Sequence, residues 1–291
     1  MVQPKVSVVI PNFNYAPFLS EAIDSVLRQS FQDFEVIVVD NFSTDGSDSV
    51  AASFRDPRIR FVSFANMGSI ARARNRGIEL ALGEYVAFLD SDDKWHPNKL
   101  ELQLERMHEN AITYHPLEFF GARRRGKTSA WKVTEPTLEN LLRGGNPVST
   151  SSVIVARELL MKAGLFPEDQ AFYTVEDYCL WLSLAANGAE FVLIPEALGR
   201  YRIHGSASSK VDGTVGLRQF VTLNFDAIDI RTKVRFDGFL GYMQGLYLLK
   251  NGIISDARMS FREALMNASF RFRWRAALRL ILLVVSRGHD I

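Results

Sequence analysis

The segment Asp90-Ser91-Asp92-Asp93 concentrates three carboxylates in one short polar stretch that follows an apolar run. Carboxylates two residues apart, in a turn after a buried strand, can aim at one point. Hard divalent cations take oxygen ligands, and Mg²⁺ or Mn²⁺ commonly joins one or two carboxylates to substrate phosphates. Such a cation neutralises a diphosphate and eases its departure. An acidic turn that caps the next helix is the alternative. Glu176-Asp177 opens a helical pattern. A carboxylate there either caps the helix and meets its dipole or acts as a general base on an attacking hydroxyl. His204, in Tyr201-Arg202-Ile203-His204-Gly205-Ser206, is either a polar surface group or, beside a bound metal, a third ligand. Arg72, Arg74 and Arg76 share one predicted helix, whose spacing divides them between a solvated face and one that can reach a ligand. The run Arg123-Arg124-Arg125 with Lys127 reads as a solvated loop, or as a contact for a phosphate-bearing acceptor or an anionic membrane.

The elements that must position these residues follow a regular alternation. Val6–Ile10 reads as a buried strand, and Glu35–Asp40, Ile59–Phe64 and Tyr85–Asp90 read as three further strands. Helices are expected from about Pro17, from within Ser43–Ser49, over Ser69–Leu82 and from near Pro97. Gly83 is expected to end the third of them. Near-continuous apolar strands alternating with helices predict a parallel sheet covered on both faces. Ligands of such sheets bind beyond the carboxyl ends of the strands. Those ends carry Pro11-Asn12-Phe13-Asn14, Asp40-Asn41 and Asp90-Ser91-Asp92-Asp93, so one cleft is expected. Further on, Ser151–Ala156 and Phe191–Pro195 read as strands and Glu176–Ala186 as a helix. From about Asp212 the pattern is helical, with helices expected over Gly241–Leu249, Ala257–Met266 and Ala276–Val285.

Composition narrows the classes. In 291 residues, 47% are hydrophobic and 23% charged, which excludes wholesale disorder. A net charge of +1 excludes a strongly basic nucleic-acid binder. A single cysteine, Cys179, excludes an intrachain disulfide framework and a cysteine-rich zinc site, and fits a reducing compartment. Val6–Ile10 is too short for a signal-peptide core, and Leu280–Val285 is too short to span a bilayer, so no targeting or spanning segment is expected. Neither a dinucleotide fingerprint, a Walker loop nor a Gly-x-Ser-x-Gly elbow occurs.

The order and spacing of these pieces resemble the family 2 inverting glycosyltransferases. The residues that carry the resemblance are VSVVIPNFN at Val6–Asn14, FEVIVVDNFSTDGS at Phe34–Ser47, ARNRGIELALGEYVAFLDSDD at Ala73–Asp93 and WHPNKLELQ at Trp95–Gln103. VEDYCLWLSLA at Val175–Ala185 and YRIHGSASS at Tyr201–Ser209 match more weakly. The resemblance spans residues 4–210. It implies an α/β GT-A fold: a Rossmann-like, doubly wound, mostly parallel sheet with a C-terminal helical appendage. Domains are accordingly expected at 1–210 and 211–291.

The resemblance also implies transfer of a sugar, with inversion, from a nucleoside-diphosphate sugar. A UDP-sugar is favoured, with Mn²⁺ or Mg²⁺ as cofactor. The acceptor implied is a hydroxyl of a glycan or lipid-linked molecule in cell-surface polysaccharide synthesis. By resemblance, Pro11, Phe13 and Asn14 line the base pocket, and Asp40 and Asn41 hold the base or its neighbourhood. Arg74, Asp90 and Ser91 belong to the donor site, Asp92 binds the metal, His204 touches metal or diphosphate, and Asp177 is the base. Asn41 departs from the family, which usually has a second acidic residue there; its amide can both accept and donate. A cytoplasmic enzyme is expected. Arg271, Arg273, Arg275, Arg279 and Arg287 flank the apolar run near the C-terminus, which reads either as a terminal helix packed on the domain or as a helix lying on the inner face of the plasma membrane; that peripheral contact and homodimerisation are left open. The competing classes are a non-catalytic nucleotide-sugar binding protein and a sugar-phosphate nucleotidyltransferase. The second normally shows a Gly-rich loop where this chain has Pro-Asn-Phe-Asn.

Overall fold

The computed structural model describes residues 3–121, 126–128, 137–204 and 211–285. The basic residues Arg123–Arg125, the loop residues Gly205–Ser209 and Arg287 lie outside the described residues. The chain forms two compact units. The first comprises Met1–Pro136, Pro147–Gln170 and Glu176–Ser206; the second comprises Thr137–Asn146, Ala171–Val175 and Ala207–Ile291.

The first unit opens with β1 (Val6–Asn12), α1 (Ala16–Leu27), β2 (Phe34–Asp40), α2 (Ser47–Ser53), β3 (Ile59–Ser63), α3 (Ile70–Leu80) and β4 (Tyr85–Phe88). Then come β5 (Lys94–Trp95), α4 (Lys99–Leu104), β6 (Ala111–Tyr114) and β7 (Glu118–Phe120). After α5 (Leu138–Gly144), which belongs to the second unit, follow β8 (Ile154–Ala156), α6 (Arg157–Lys162), α7 (Glu176–Ala186), β9 (Glu190–Leu193) and β10 (Gly199–Arg202). The main sheet has the order β3-β2-β1-β4-β8-β6-β9, and β5-β10-β7 form a small second sheet. β1 pairs parallel with β2 and β4, and β2 with β3, while β8 runs antiparallel to β4 and β6. This is the expected α/β sheet, mostly parallel. All residues of β1 and β2 are buried, as strands with helices on both faces require. Leu19, Ile23 and Val26 of α1 are fully buried, as their helical spacing predicts.

Four expectations change. Strand four ends at Phe88, two residues before the acidic turn. Ser151 is not in a strand. Residues 150–152 form a 3₁₀ turn whose groups serve neighbours: Ser151 Oγ accepts from the Asp90 amide at 3.1 Å and the Ser151 carbonyl from Trp95 Nε1 at 2.7 Å. Helix three stops at Leu80, not at Gly83. Gly83 is needed for close approach instead, because a Cβ there would lie 2.6 Å from the Ser7 amide nitrogen. The helical region also starts its helices earlier than expected.

The second unit holds α5, α8 (Thr214–Asn224), α9 (Ile230–Lys250), α10 (Ile254–Asn267) and α11 (Phe270–Val285). α9 begins eleven residues before the expected start because Asp229 caps it, accepting from the amides of Arg231 and Thr232 at 2.9 and 3.1 Å. Aromatic rings fill this unit: Phe239 and Tyr242 meet Phe272 at centroid distances of 5.0 and 5.4 Å. No described helix is long and apolar enough to cross a membrane.

Candidate functional site

The parallel register places Asn12 opposite Asp40, so two expected site loops leave the sheet side by side. Asn12 Nδ2 donates to Asp40 Oδ1 at 2.7 Å. Ser43 adds its amide to Asp40 Oδ2 at 2.8 Å and its hydroxyl to Oδ1 at 2.6 Å. A buried carboxylate gains most when several donors meet it, and Asp40 has three. Asn14 stitches the same loops: its amide donates to Ser43 Oγ at 2.8 Å and its Oδ1 accepts from Thr44 at 2.9 Å. Asn14 holds a left-handed backbone at φ 53°, a conformation asparagine tolerates better than most residues. Asn41 Oδ1 accepts the Asn66 amide at 3.1 Å. Pro11 sits in β1 beyond the last β4 partner, where its missing N–H breaks no ladder bond. Phe13 on the first loop and Phe42 on the second remain exposed.

Arg74 ties a second group of expected residues together. Only 4% of its side chain is exposed, on a helix that Ser69 caps through the Arg72 amide. One end of its guanidinium binds Asp90 Oδ1 at 2.8 Å and the other binds Glu176 Oε1 at 2.9 Å. Burial alone would favour the neutral base, but Asp90 and Glu176 outweigh it and hold the guanidinium charged. Its face also lies 5.3 Å from the Phe166 ring. Both ends of the fork are therefore engaged by carboxylates of the protein. Arg76, by contrast, pairs with Glu79 on the solvated side. The expected split among Arg72, Arg74 and Arg76 thus leaves Arg74 inside.

The acidic turn is a crowded one. Burial and the nearby charge of Asp90 push the Asp92 carboxyl above the usual carboxylate range, and burial with Asp92 and Asp90 pushes Asp93 further. His204 Nε2 lies 2.6 Å from Asp92 Oδ2. The imidazole stacks on Phe18 at a centroid distance of 5.5 Å and meets Tyr15 at 5.7 Å. Arg202 braces the turn: its Nε donates to the Asp92 carbonyl at 2.8 Å and its amide to Asp93 Oδ1 at 2.9 Å. Its guanidinium is sandwiched between the rings of Phe18 and Phe120 at 4.5 and 4.3 Å. Ser91 is buried between the two outer carboxylates in sequence.

Among the described residues no group of three or more His, Cys, Asp and Glu side chains could hold a metal ion, so a divalent cation here would have two protein donors and otherwise open positions. Asp92 and His204 nevertheless converge, and the repulsion among Asp90, Asp92 and Asp93 is of the kind a cation relieves. Mg²⁺ and Mn²⁺ sites of this type leave coordination positions to phosphates.

Asp177 stands at the start of α7, next to Glu176. Tyr178 donates its amide to Asp177 Oδ1 at 2.6 Å, and Thr150 Oγ1 lies 3.3 Å from Oδ2. No ion pair ties Asp177 among the described residues, whereas Arg74 holds Glu176. Burial and the adjacent Glu176 raise the Asp177 carboxyl to about 7, against the pull of Arg74. A half-buried carboxylate with that affinity for a proton is suited to take one from a hydroxyl near neutral pH.

The structure therefore gathers the expected residues into two sets. Pro11 and Asp40 sit at the ends of β1 and β2, with Phe13, Asn14 and Asn41 in the loops that follow. Asp90, Ser91 and Asp92 belong to the acidic turn, to which Arg74 and His204 bind directly, and Asp177 follows Glu176, the other partner of Arg74. Sequence reasoning gave no role to Ser43, Thr150 or Arg202, and placed Asn12 at the cleft without a role. Each is a common polar type; Asn12, Ser43 and Arg202 lie within two residues of an expected site residue, and Thr150 has no such neighbour.

The family model described as "Glycosyl transferase family 2" matches residues 7–162. The Escherichia coli protein WfgD, named UDP-Glc:alpha-D-GlcNAc-diphosphoundecaprenol beta-1,3-glucosyltransferase, is 30% identical over 205 residues, covering 70% of this chain and 79% of WfgD. S. aureus TarS 1-349, solved in complex with UDP-GlcNAc, superposes with a TM-score of 0.67 at 22% identity, covering 92% of this chain and 82% of TarS. Mannosyltransferase PcManGT from Pyrobaculum calidifontis, solved with GDP-Man and Mn²⁺, superposes with a TM-score of 0.63 at 19% identity, covering 98% of this chain and 81% of that one. The two structures show a shared fold. An uncharacterized glycosyltransferase of Rickettsia felis is 32% identical across 88% of this chain, and the chain spans only 43% of its length.

Proposed function

The chain belongs to glycosyl transferase family 2, and from that premise we propose that it moves a sugar from a nucleoside-diphosphate sugar to an acceptor hydroxyl, with inversion. The observation that carries the reading is the Asp90–Arg74–Glu176 ion-pair chain. It couples the acidic turn, where a donor diphosphate would lie, to the helix start that presents Asp177.

In this reading Asp177 takes the proton of the acceptor hydroxyl. The oxygen attacks the anomeric carbon, and the bond from that carbon to the diphosphate oxygen breaks with its electron pair. A single displacement inverts the centre and needs no enzyme nucleophile. Asp92 and His204 would hold a divalent cation, which when bound offsets the charge of the departing diphosphate. Arg74 keeps Glu176 and Asp90 in register, and Arg202 keeps the acidic turn in shape. Asp40 organises the base-side loops through its three accepted hydrogen bonds. Pro11, Phe13, Asn14 and Asn41 would border the base.

A UDP-sugar donor is favoured by the names of WfgD and of the TarS complex. The same WfgD name supports a diphosphate-linked lipid acceptor and a role in surface polysaccharide synthesis. Titration calorimetry with UDP, dTDP, GDP and CDP, each with and without Mn²⁺, tests the donor side. We expect metal-dependent binding of UDP, lost in Asp92→Ala while the protein stays folded. Equal binding by Asp92→Ala would remove Asp92 from the metal site. No binding of any nucleotide would move the non-catalytic alternative forward.

A further inference from the structure

Helix α11 is apolar on two sides. Phe272, Ala276 and Leu283 are buried within the helical unit. Phe270, Trp274, Leu278 and Ile281 follow the spacing i, i+4, i+8 and i+11, which places them in one stripe on the other side. All four are exposed, Phe270 by 83% and Trp274 by 72%. An isolated exposed apolar residue needs no explanation, but a continuous stripe marks a contact surface.

The charges beside the stripe say what kind of surface it meets. At 100° per residue, Arg273 borders one edge, and Arg275 and Arg279 lie beyond the other. α11 contains no aspartate or glutamate. Arg273, Arg275 and Arg279 have no carboxylate partner among the described residues. A second copy docked stripe to stripe about a two-fold axis would bring these arginines against their own kind, with no acid on the helix to answer them. An anionic lipid surface answers both features. Its acyl–headgroup boundary accepts the apolar side chains, and its phosphates accept the guanidinium groups.

We propose that α11 lies along the headgroup layer of an anionic membrane, with Phe270, Trp274, Leu278 and Ile281 inserted and the arginines on the phosphates. Among the described residues no helix is long and apolar enough to cross a membrane, so in this proposal α11 lies parallel to the surface. This inference stands on α11 alone and does not depend on the proposed reaction.

Flotation of the full chain tests it, with phosphatidylcholine vesicles and with the same vesicles doped with phosphatidylglycerol. The chain should float with the doped vesicles and be released by high salt. The triple variant Arg273→Gln/Arg275→Gln/Arg279→Gln should bind at least about tenfold more weakly. Leu278→Ser/Ile281→Ser should also lose binding while keeping its charge. These side chains are exposed, so circular dichroism should show unchanged helix content. Trp274 emission should shift to the blue on binding, a change absent in Trp274→Phe. Failure of the wild type to float with doped vesicles overturns the proposal, as does undiminished flotation of Leu278→Ser/Ile281→Ser. A wild-type dimer that Leu278→Ser/Ile281→Ser converts to monomer, without flotation, would assign the stripe to a second copy instead.

Discussion

Asp177 must lose its proton before it can take another, and burial with Glu176 sets that event at about 7. Transfer should therefore fall as the pH drops through about 7 and level off above it. A pH profile of kcat/KM checks this; a profile flat down to pH 5 would remove Asp177 as the base. Asp177→Asn should lower kcat by about 10³-fold or more and leave donor binding intact. The same substitution should stabilise the fold at pH 8. The folded carboxyl binds its proton more tightly than the unfolded one, so the charged form opposes folding as pH rises from about 4 to about 7. With its partial exposure discounted, the gain should be about 1–2 kcal/mol in denaturant titration. The contrast with Glu176 is one of partners: one carboxylate is spent on Arg74, and its neighbour is left for chemistry.

The strands and helices explain why these side chains hold their places. α3 must lie close on β1 for Arg74 to reach both carboxylates. Gly77 allows it, since a Cβ there would come within 2.3 Å of Val9 Cγ1 in the middle of a fully buried strand. Gly77→Ala should cost about 1–3 kcal/mol by overpacking, despite the better helix propensity of alanine. It should also weaken activity, because the helix carrying Arg74 must shift. A thermal melt with unchanged Tm would contradict this packing. Element boundaries were less readable than element types. The first four strands and three helices were legible because apolar runs and helical spacing dominate there. The 3₁₀ turn at 150–152 was not, because Ser151 answers to Asp90 and Trp95, both far away in sequence. Lys99, at the start of α4, is fully buried with its Nζ 3.7 Å from the Trp95 ring centroid, a placement that sequence reasoning did not anticipate.

Across the molecule, buried ionisable groups shape the response to acid. His115 is 1% exposed, and burial, with Lys99 nearby, depresses its imidazole to about 3. The unfolded chain takes a proton there below about 6.5 and the folded chain does not. Stability from this group is thus complete above about 6.5 and declines as pH falls toward 3. Chemical denaturation at pH 7 and pH 5 should show the loss, and His115→Gln should reduce the difference between them. An identical pH dependence in the variant would assign acid sensitivity elsewhere.

The sequence by itself determined the α/β alternation, the strand ends that carry Asn12, Asp40 and Asp90, and the family. Those features are local: buried strands need apolar runs, helices need their spacing, and turns need polar residues. The tertiary structure alone decided which polar residues are working partners and which are supports. Arg74 meets Glu176, 102 positions away, and Arg202 reaches the Asp92 carbonyl across 110. Such pairings are set by where the sheet and its helices bring distant loops, and no local pattern records them. The exposed stripe of α11 lies between these cases. Its spacing is written in the sequence, but which of its two apolar sides faces outward is settled by the rings of Phe239 and Tyr242 that claim Phe272.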